Sequence, residues 1–322
     1  LGVDFGIFNN RFKLAAEYFK RKITDLLVTN KPLPFYNEVN KIAGNIGSTQ
    51  SQGVEITLNT VNIVTKDFEW DTTLTLSHYN DRWLKRDPNW KPRAYEKEDD
   101  PIRAWWEYEA IGILQPGEKA PDAQKDLVPG MMKLKDRDGN GVLGDEDKVY
   151  MGNGDPKIIY GLNNSFRYKN FDLNAFFVYA GGNKLRNSVL KMDDQLGTQT
   201  LKGIANRWTA DDSNAQVRMC LDIPAQVKTY ASTFQDWWQY GDINVKDAGY
   251  VKLRSLSVGY NLPFTVCQHL RLSSLKVKVQ VNNLFTWCKA GSDIDPESYG
   301  MNDGTRGIAS PKTYSIGLST SF

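Results

Sequence analysis

The chain has 322 residues, with 40 Lys plus Arg against 38 Asp plus Glu and a formal charge of +2. That balance, with no basic tract, excludes nucleic acid as the expected partner. No run approaches the ~18–20 apolar residues of a transmembrane helix, yet aromatic residues make up 12%, including 9 Trp and 15 Tyr. A negative mean hydropathy does not count against a transmembrane β-barrel, whose strands place apolar residues only at every second position.

In chain order, period-two alternation predicts nine strands, roughly 2–8, 11–20, 50–61, 67–78, 157–168, 171–181, 248–261, 273–285 and 312–322. In the fourth, Phe68, Trp70, Leu74 and Leu76 alternate with Glu69, Asp71, Thr73, Thr75 and Ser77. In the eighth, Leu275, Val277, Val279 and Val281 alternate with Lys276, Lys278, Gln280 and Asn282, and such charges belong on a watery lumen. The last strand sets Tyr314, Ile316, Leu318 and Phe322 on one parity, and the chain stops on that aromatic residue. The connections run short, long, short, long, the longest being 79–156 and 182–247. A meander across a membrane sorts its loops this way, with tight turns on one side and long external loops on the other. The expected fold is all-β, an antiparallel transmembrane β-barrel. Because the first strand descends from outside into a short turn, we expect further strands before Leu1 and read 1–322 as the carboxy-terminal segment of a larger barrel.

The long loops are where function is expected. The first carries Trp83, Trp90, Tyr95, Trp105, Trp106 and Tyr108, and the second Trp208, Trp237, Trp238 and Tyr240. Flat rings suit the C–H faces of sugars, so Trp105, Trp106, Trp237 and Trp238 are the candidate substrate contacts. One motif has specific spacing: D-R-D-G-N-G-V-L-G-D-E-D over 136–147 follows the D-x-D-x-N-G pattern of a calcium loop with an acid at the twelfth place. Asp136, Asp138 and Asn140 would offer side-chain oxygens, Val142 its carbonyl and Asp147 the last ligand. Asp147 stands where such loops usually have Glu, so weak Ca2+ affinity is expected.

No catalytic set emerges. His78 and His269 lie in no nucleophile pattern, Gly152-Asn153-Gly154 opens no helix, and acidic pairs such as Asp99-Asp100 or Asp293 with Asp295 carry no information on carboxyl separation. Cys220, Cys267 and Cys288 have no metal or disulfide spacing.

Four stretches resemble one family in its order: Gly53 to Leu58, Asp136 to Gly181, Ala248 to Pro263 (A-G-Y-V-K-L-R-S-L-S-V-G-Y-N-L-P) and Asn282 to Glu297, ending I-D-P-E. They are similar to the carboxy-terminal barrel of SusC/RagA-type TonB-dependent transporters. The resemblance implies a 22-stranded barrel, an amino-terminal plug that this sequence lacks, a SusD-like surface lipoprotein as lid, TonB as the energy source and an oligosaccharide or oligopeptide cargo. The alternatives are a secreted, soluble, calcium-stabilised carbohydrate-binding β-domain and a passive porin.

Overall fold

The computed structural model describes residues 1–32, 41–88, 90–186, 241–242, 245–291, 295–298 and 309–321. Nine strands form one antiparallel sheet in which each pairs with the next along the chain. They are β1 (Gly2–Ile7), β2 (Phe12–Thr24), β3 (Ser48–Val64), β4 (Phe68–Lys85), β5 (Ile158–Tyr168), β6 (Phe171–Gly181), β7 (Tyr250–Asn261), β8 (Ser274–Cys288) and β9 (Thr313–Ser321). All nine expected strands are present. Phe322 lies outside the described residues, and within the chain β1 and β9 are the two edges of the sheet.

The connections sort as expected. One rim carries 8–11, 65–67, 169–170 and 262–273, the last containing helix α1 (Phe264–His269); the other carries 25–47, 86–157, 182–249 and 289–312. At the tightest turn Lys169 takes a left-handed φ of +51° between the paired Tyr168 and Phe171.

Register explains what each face does. Leu14, Leu58, Leu74, Leu162 and Phe177 stand side by side across β2 to β6. Below them Phe68, Tyr168, Phe171 and Tyr260 form an aromatic row, with the last two rings 4.5 Å apart. Above them Tyr160 and Tyr179 pair at 5.6 Å, with Trp287 further along the same face. The two rows are separated by eight residues of β5, roughly 26 Å of strand, which the tilt of ~40° usual in barrels reduces to about 20 Å. An apolar band of that height, edged by aromatic girdles, faces lipid. Its residues stay open to the surroundings: Tyr168, Phe171 and Trp287 are more than half exposed.

Halfway between the girdles this face carries polar groups that bond to one another. Asn164 Oδ1 accepts from Trp70 Nε1 at 3.0 Å and from the Thr72 hydroxyl at 2.7 Å. Thr72 Oγ1 in turn accepts from Asn62 Nδ2 at 2.8 Å, and Asn62 Oδ1 accepts from Thr60 at 2.9 Å. A bulge between Val61 and Ile63 admits Asn62 to this face.

The opposite face is polar. Arg167 pairs with Glu69, and Lys276 reaches across β7 to Asp172 at 2.6 Å. Gly259 leaves the space for that crossing, since a Cβ there would lie 2.5 and 2.6 Å from the two Asp172 oxygens. Charges paired in this way line the lumen, as the lysine parity of β8 requires.

The strands run longer than the sequence suggests. β3 and β4 have 17 and 18 residues, well past the ~9–11 that cross a bilayer, and their outer ends support the external loops. Buried apolar clusters also sit at this end, one of Ala180, Leu185, Ala248, Tyr250, Cys288 and Ala290, another of Leu114, Leu127 and Met131. Loop 86–157 is itself built of small hairpins, Ala104–Tyr108 with Lys148–Asn153 and Ala110–Ile113 with Met132–Leu134. Cys267 and Cys288 are free and buried; Cys220 lies outside the described residues.

Candidate functional site

The acidic motif folds into the turn its glycines allow. Asp136 accepts from the amides of Gly141 (2.8 Å) and Gly139 (2.7 Å), which hold its carboxyl below the usual carboxylate range. Gly139 and Gly141 take φ of +73° and +80°, a region that other L-residues rarely enter. Asp147 is fully buried and accepts from the Arg137 amide at 2.6 Å and the Gly144 amide at 2.8 Å. Carboxylate oxygens of Asp136, Asp138 and Asp147 come within 4.8 Å of one another. Asn140 turns back on the loop, donating to Asp138 Oδ2 and accepting from the Val142 amide, both at 2.8 Å. Three of the five expected ligands therefore converge through their side chains. The Val142 side chain points into solvent, so its carbonyl is the group left to contribute.

This loop hands the chain directly to the strand Lys148–Asn153, which pairs with Ala104–Tyr108 and sets Tyr150 opposite Trp106. Trp106 packs between Tyr95 (5.4 Å) and Tyr150 (5.1 Å). Trp105 is buried, and its Nε1 donates to Glu107 Oε1 at 3.0 Å. Both indoles line a cavity of about 370 Å³ together with Arg86, Arg93, Tyr95 and Lys148. Trp237 and Trp238 lie outside the described residues.

A second constellation was not foreseen from the sequence. Lys252, only 1% exposed, points its ammonium at Glu297 Oε2 (2.5 Å) and Asp295 Oδ1 (3.5 Å). Glu297 also accepts from the Tyr250 hydroxyl at 2.9 Å and from the Arg254 guanidinium, with one contact at 3.1 Å. A bulge between Leu253 and Ser255 leaves Arg254 unpaired in the ladder, which frees its side chain for this contact. Asp295 caps the returning chain by accepting from the Ser310 amide at 2.7 Å. The segment Asp295–Ser298 is thus clamped onto β7 and, with Tyr250, Asn183 and Lys184, walls a cavity of about 400 Å³ at the barrel mouth. Burial by itself would raise both carboxyls. Hydrogen bonds from Ser310 and Glu297 amides to Asp295, and from Lys252, Tyr250 and Arg254 to Glu297, hold them below their ordinary values. Y-x-K-x-R followed some forty residues later by D-P-E was the available signal. Asp295, whose nearness to Asp293 in sequence carried no catalytic information, is here a loop anchor.

No protein-family model matches the chain. TonB-dependent receptor P3 of Formosa agariphila is 28% identical across 100% of the chain, which spans 33% of that receptor. TonB-dependent receptor SusC of Bacteroides thetaiotaomicron is 28% identical over 53% of the chain and 18% of its own length. The solved RagAB peptide transporter superposes over 100% of the chain and 34% of its own chain, with a TM-score of 0.75 at 21% identity, a likeness of fold. The chain spans about a third of the length of the curated relatives that it matches along its whole length. These relatives are receptors and transporters, not enzymes. With the lipid-facing band, the sorted loops and the four motifs already in place, the chain resembles in sequence and fold a segment of the SusC/RagA-type TonB-dependent transporters, which are outer-membrane β-barrels.

Proposed function

We propose that this segment forms part of the wall and mouth of an outer-membrane importer for nutrient oligomers, opened with energy from TonB and covered by a SusD-like surface lipoprotein. The carrying observation is the pairing of a polar lumenal face with folded external loops that hold an aromatic cavity above it. Oligosaccharide is the favoured cargo, because Trp106 and Tyr95 offer ring surface beside hydrogen-bonding side chains. A peptide cargo is the second reading, favoured by the likeness to a structure described as a peptide transporter. The apolar band weighs against a soluble binding domain. In cells, deletion of the gene should abolish uptake of a labelled oligosaccharide, and loss of TonB should do the same. Uptake that persists without TonB would leave a passive porin.

The acidic turn is proposed as a weak Ca2+ site with a structural role. Asp136, Asp138 and Asp147 would supply carboxylates and Val142 a carbonyl, tying the turn to the strand opposite Trp106. Millimolar Ca2+ should slow proteolysis within 86–157 in the full-length protein, EDTA should reverse this, and Asp138→Ala should remove the response. Calorimetry without heat of binding at millimolar Ca2+ would dispose of the site.

A further inference from the structure

Loop 86–157 holds two guanidiniums, Arg86 and Arg93, that form no direct ion pair with a carboxylate among the described residues. Arg86 lies against Trp83 and Trp90, with its Cζ 5.1 and 4.3 Å from the ring centroids. It donates from Nε to the Glu98 carbonyl at 3.2 Å and from Nη2 to the Lys97 carbonyl at 3.1 Å. Three of its five N–H groups remain. Arg93 donates from Nη1 to the Tyr95 hydroxyl at 2.7 Å and keeps the other four. Among the described residues neither forms an ion pair, whereas Lys148, the third cation of the same cavity, is paired with Asp145 at 2.9 Å.

The acids that line this cavity are already engaged with N–H groups of the loop. Glu96 accepts from the Arg93 amide at 3.0 Å, Asp100 from the Lys97 amide at 2.6 Å, and Glu107 from the Trp105 indole at 3.0 Å. Each of these carboxylates commits an oxygen to holding the walls, and the two guanidiniums keep free donors. A guanidinium stacked on indole is weakly hydrated and held in a fixed orientation, so binding an anion there loses little freedom. The volume, about 370 Å³, is at the small end of the ~300–1,000 Å³ of ligand sites, suited to a short stretch of an oligomer.

We propose that this cavity is a subsite for an acidic sugar of the cargo, with its carboxylate or sulfate ester held by Arg86 and Arg93 and its ring beside Tyr95 and Trp106. The inference rests on the importer reading and names the substrate class that the importer would select. An acidic peptide would present the same anion without the ring, and the test separates the two.

The test is calorimetry on the full-length transporter in detergent, with tetragalacturonate, a neutral galactose tetramer and tetraglutamate as probes, at low and high salt. Tetragalacturonate should bind at least about tenfold more tightly than the neutral tetramer, as expected for charge-assisted hydrogen bonds, and the advantage should shrink with salt. The Arg86→Gln/Arg93→Gln variant should lose the preference and bind the acidic and the neutral tetramer alike. The Arg93 side chain is exposed and, among the described residues, hydrogen-bonds to Tyr95 alone, so Arg93→Gln alone carries the test if the double variant misfolds. Equal binding of acidic and neutral tetramers, an undiminished preference in the variants, or stronger binding of tetraglutamate would each overturn the proposal. If neutral oligosaccharide is still imported, the importer reading survives that failure; if no oligosaccharide binds and none is taken up, both fall.

Discussion

Glu297→Ala should release the loop 289–312 from the barrel mouth at a cost of about 3 kcal/mol, the scale for removing one member of a buried ion pair. Lys252 would be left almost wholly buried with only Asp295, 3.5 Å away, and Tyr250 and Arg254 would lose their acceptor. Lys252→Met should cost less, because Glu297 keeps Arg254 and Tyr250. The readout is hydrogen exchange at 295–298 and at the Ser310 amide, together with protease cleavage within 289–312, while the barrel itself stays folded. The clamp should also fail in acid. Both carboxyls titrate below their ordinary range when the loop is docked, so their contribution is fully present above the unfolded pKa of about 4 and is lost as pH falls through the lower folded values. Protection of 295–298 that is unchanged in the alanine variant, or unchanged at pH 3, would show that other contacts hold the loop.

Gly53→Ala should prevent correct assembly of the sheet around β3 and β4, with a cost of roughly 3 kcal/mol, at the upper end of overpacking effects. A Cβ at this position would overlap the His78 carbonyl oxygen and come within 2.8 and 2.9 Å of Tyr79 Cβ and Cα. Two of those three atoms are backbone, so no change of rotamer relieves the contact. Nor can β4 draw back freely, since the His78 ring sits 2.9 Å from the Lys157 carbonyl and the strand is laddered to β5 on its other side. Electrophoresis without heating, in which a folded barrel runs apart from the unfolded chain, should show the variant largely unfolded. A fully folded Gly53→Ala barrel would mean that the two strands separate there at little cost. The register partners of Gly53, Phe19 and Tyr79, wall a lumenal hollow together with Glu17, Arg21 and Glu55, so the G-V-E-I-T-L motif lies beside the passage as well as in the packing.

Strands were legible wherever the bilayer imposes alternation. Phe68 to Ser77 could be read from the sequence because every second residue meets lipid. The outer half of β4, His78 to Lys85, could not, because both of its faces mix polar residues with Tyr79, Trp83 or Leu84 while the ladder to β3 still holds it extended. The loop hairpins were missed for a related reason. Ala104–Tyr108 is five residues of mixed polarity, and its strand character comes from a partner more than forty residues away. The acidic turn was visible because its carboxylates are local in sequence. The Lys252–Glu297 clamp was not, because the acid and the base lie on separate segments that only the β7–β8 pairing and the returning loop bring together. Trp105 and Trp106 stand out equally in the sequence, but the structure gives them different surroundings. The first is buried against Glu107, and the second is half-buried between two tyrosines.

The mid-membrane bonds of Asn164 also bear on how such a barrel is made. Its carbonyl oxygen is satisfied only by groups on β4, the indole of Trp70 and the hydroxyl of Thr72. A hairpin of β5 and β6 entering lipid alone would carry a naked carboxamide into hydrocarbon, which is costly. A two-residue slip against β4 would keep that face on lipid but set Asn164 opposite Trp70 or Leu74 in place of Thr72. Asn164 would therefore favour one alignment as the barrel assembles, since its carboxamide oxygen meets both donors where β4 and β5 are in this register.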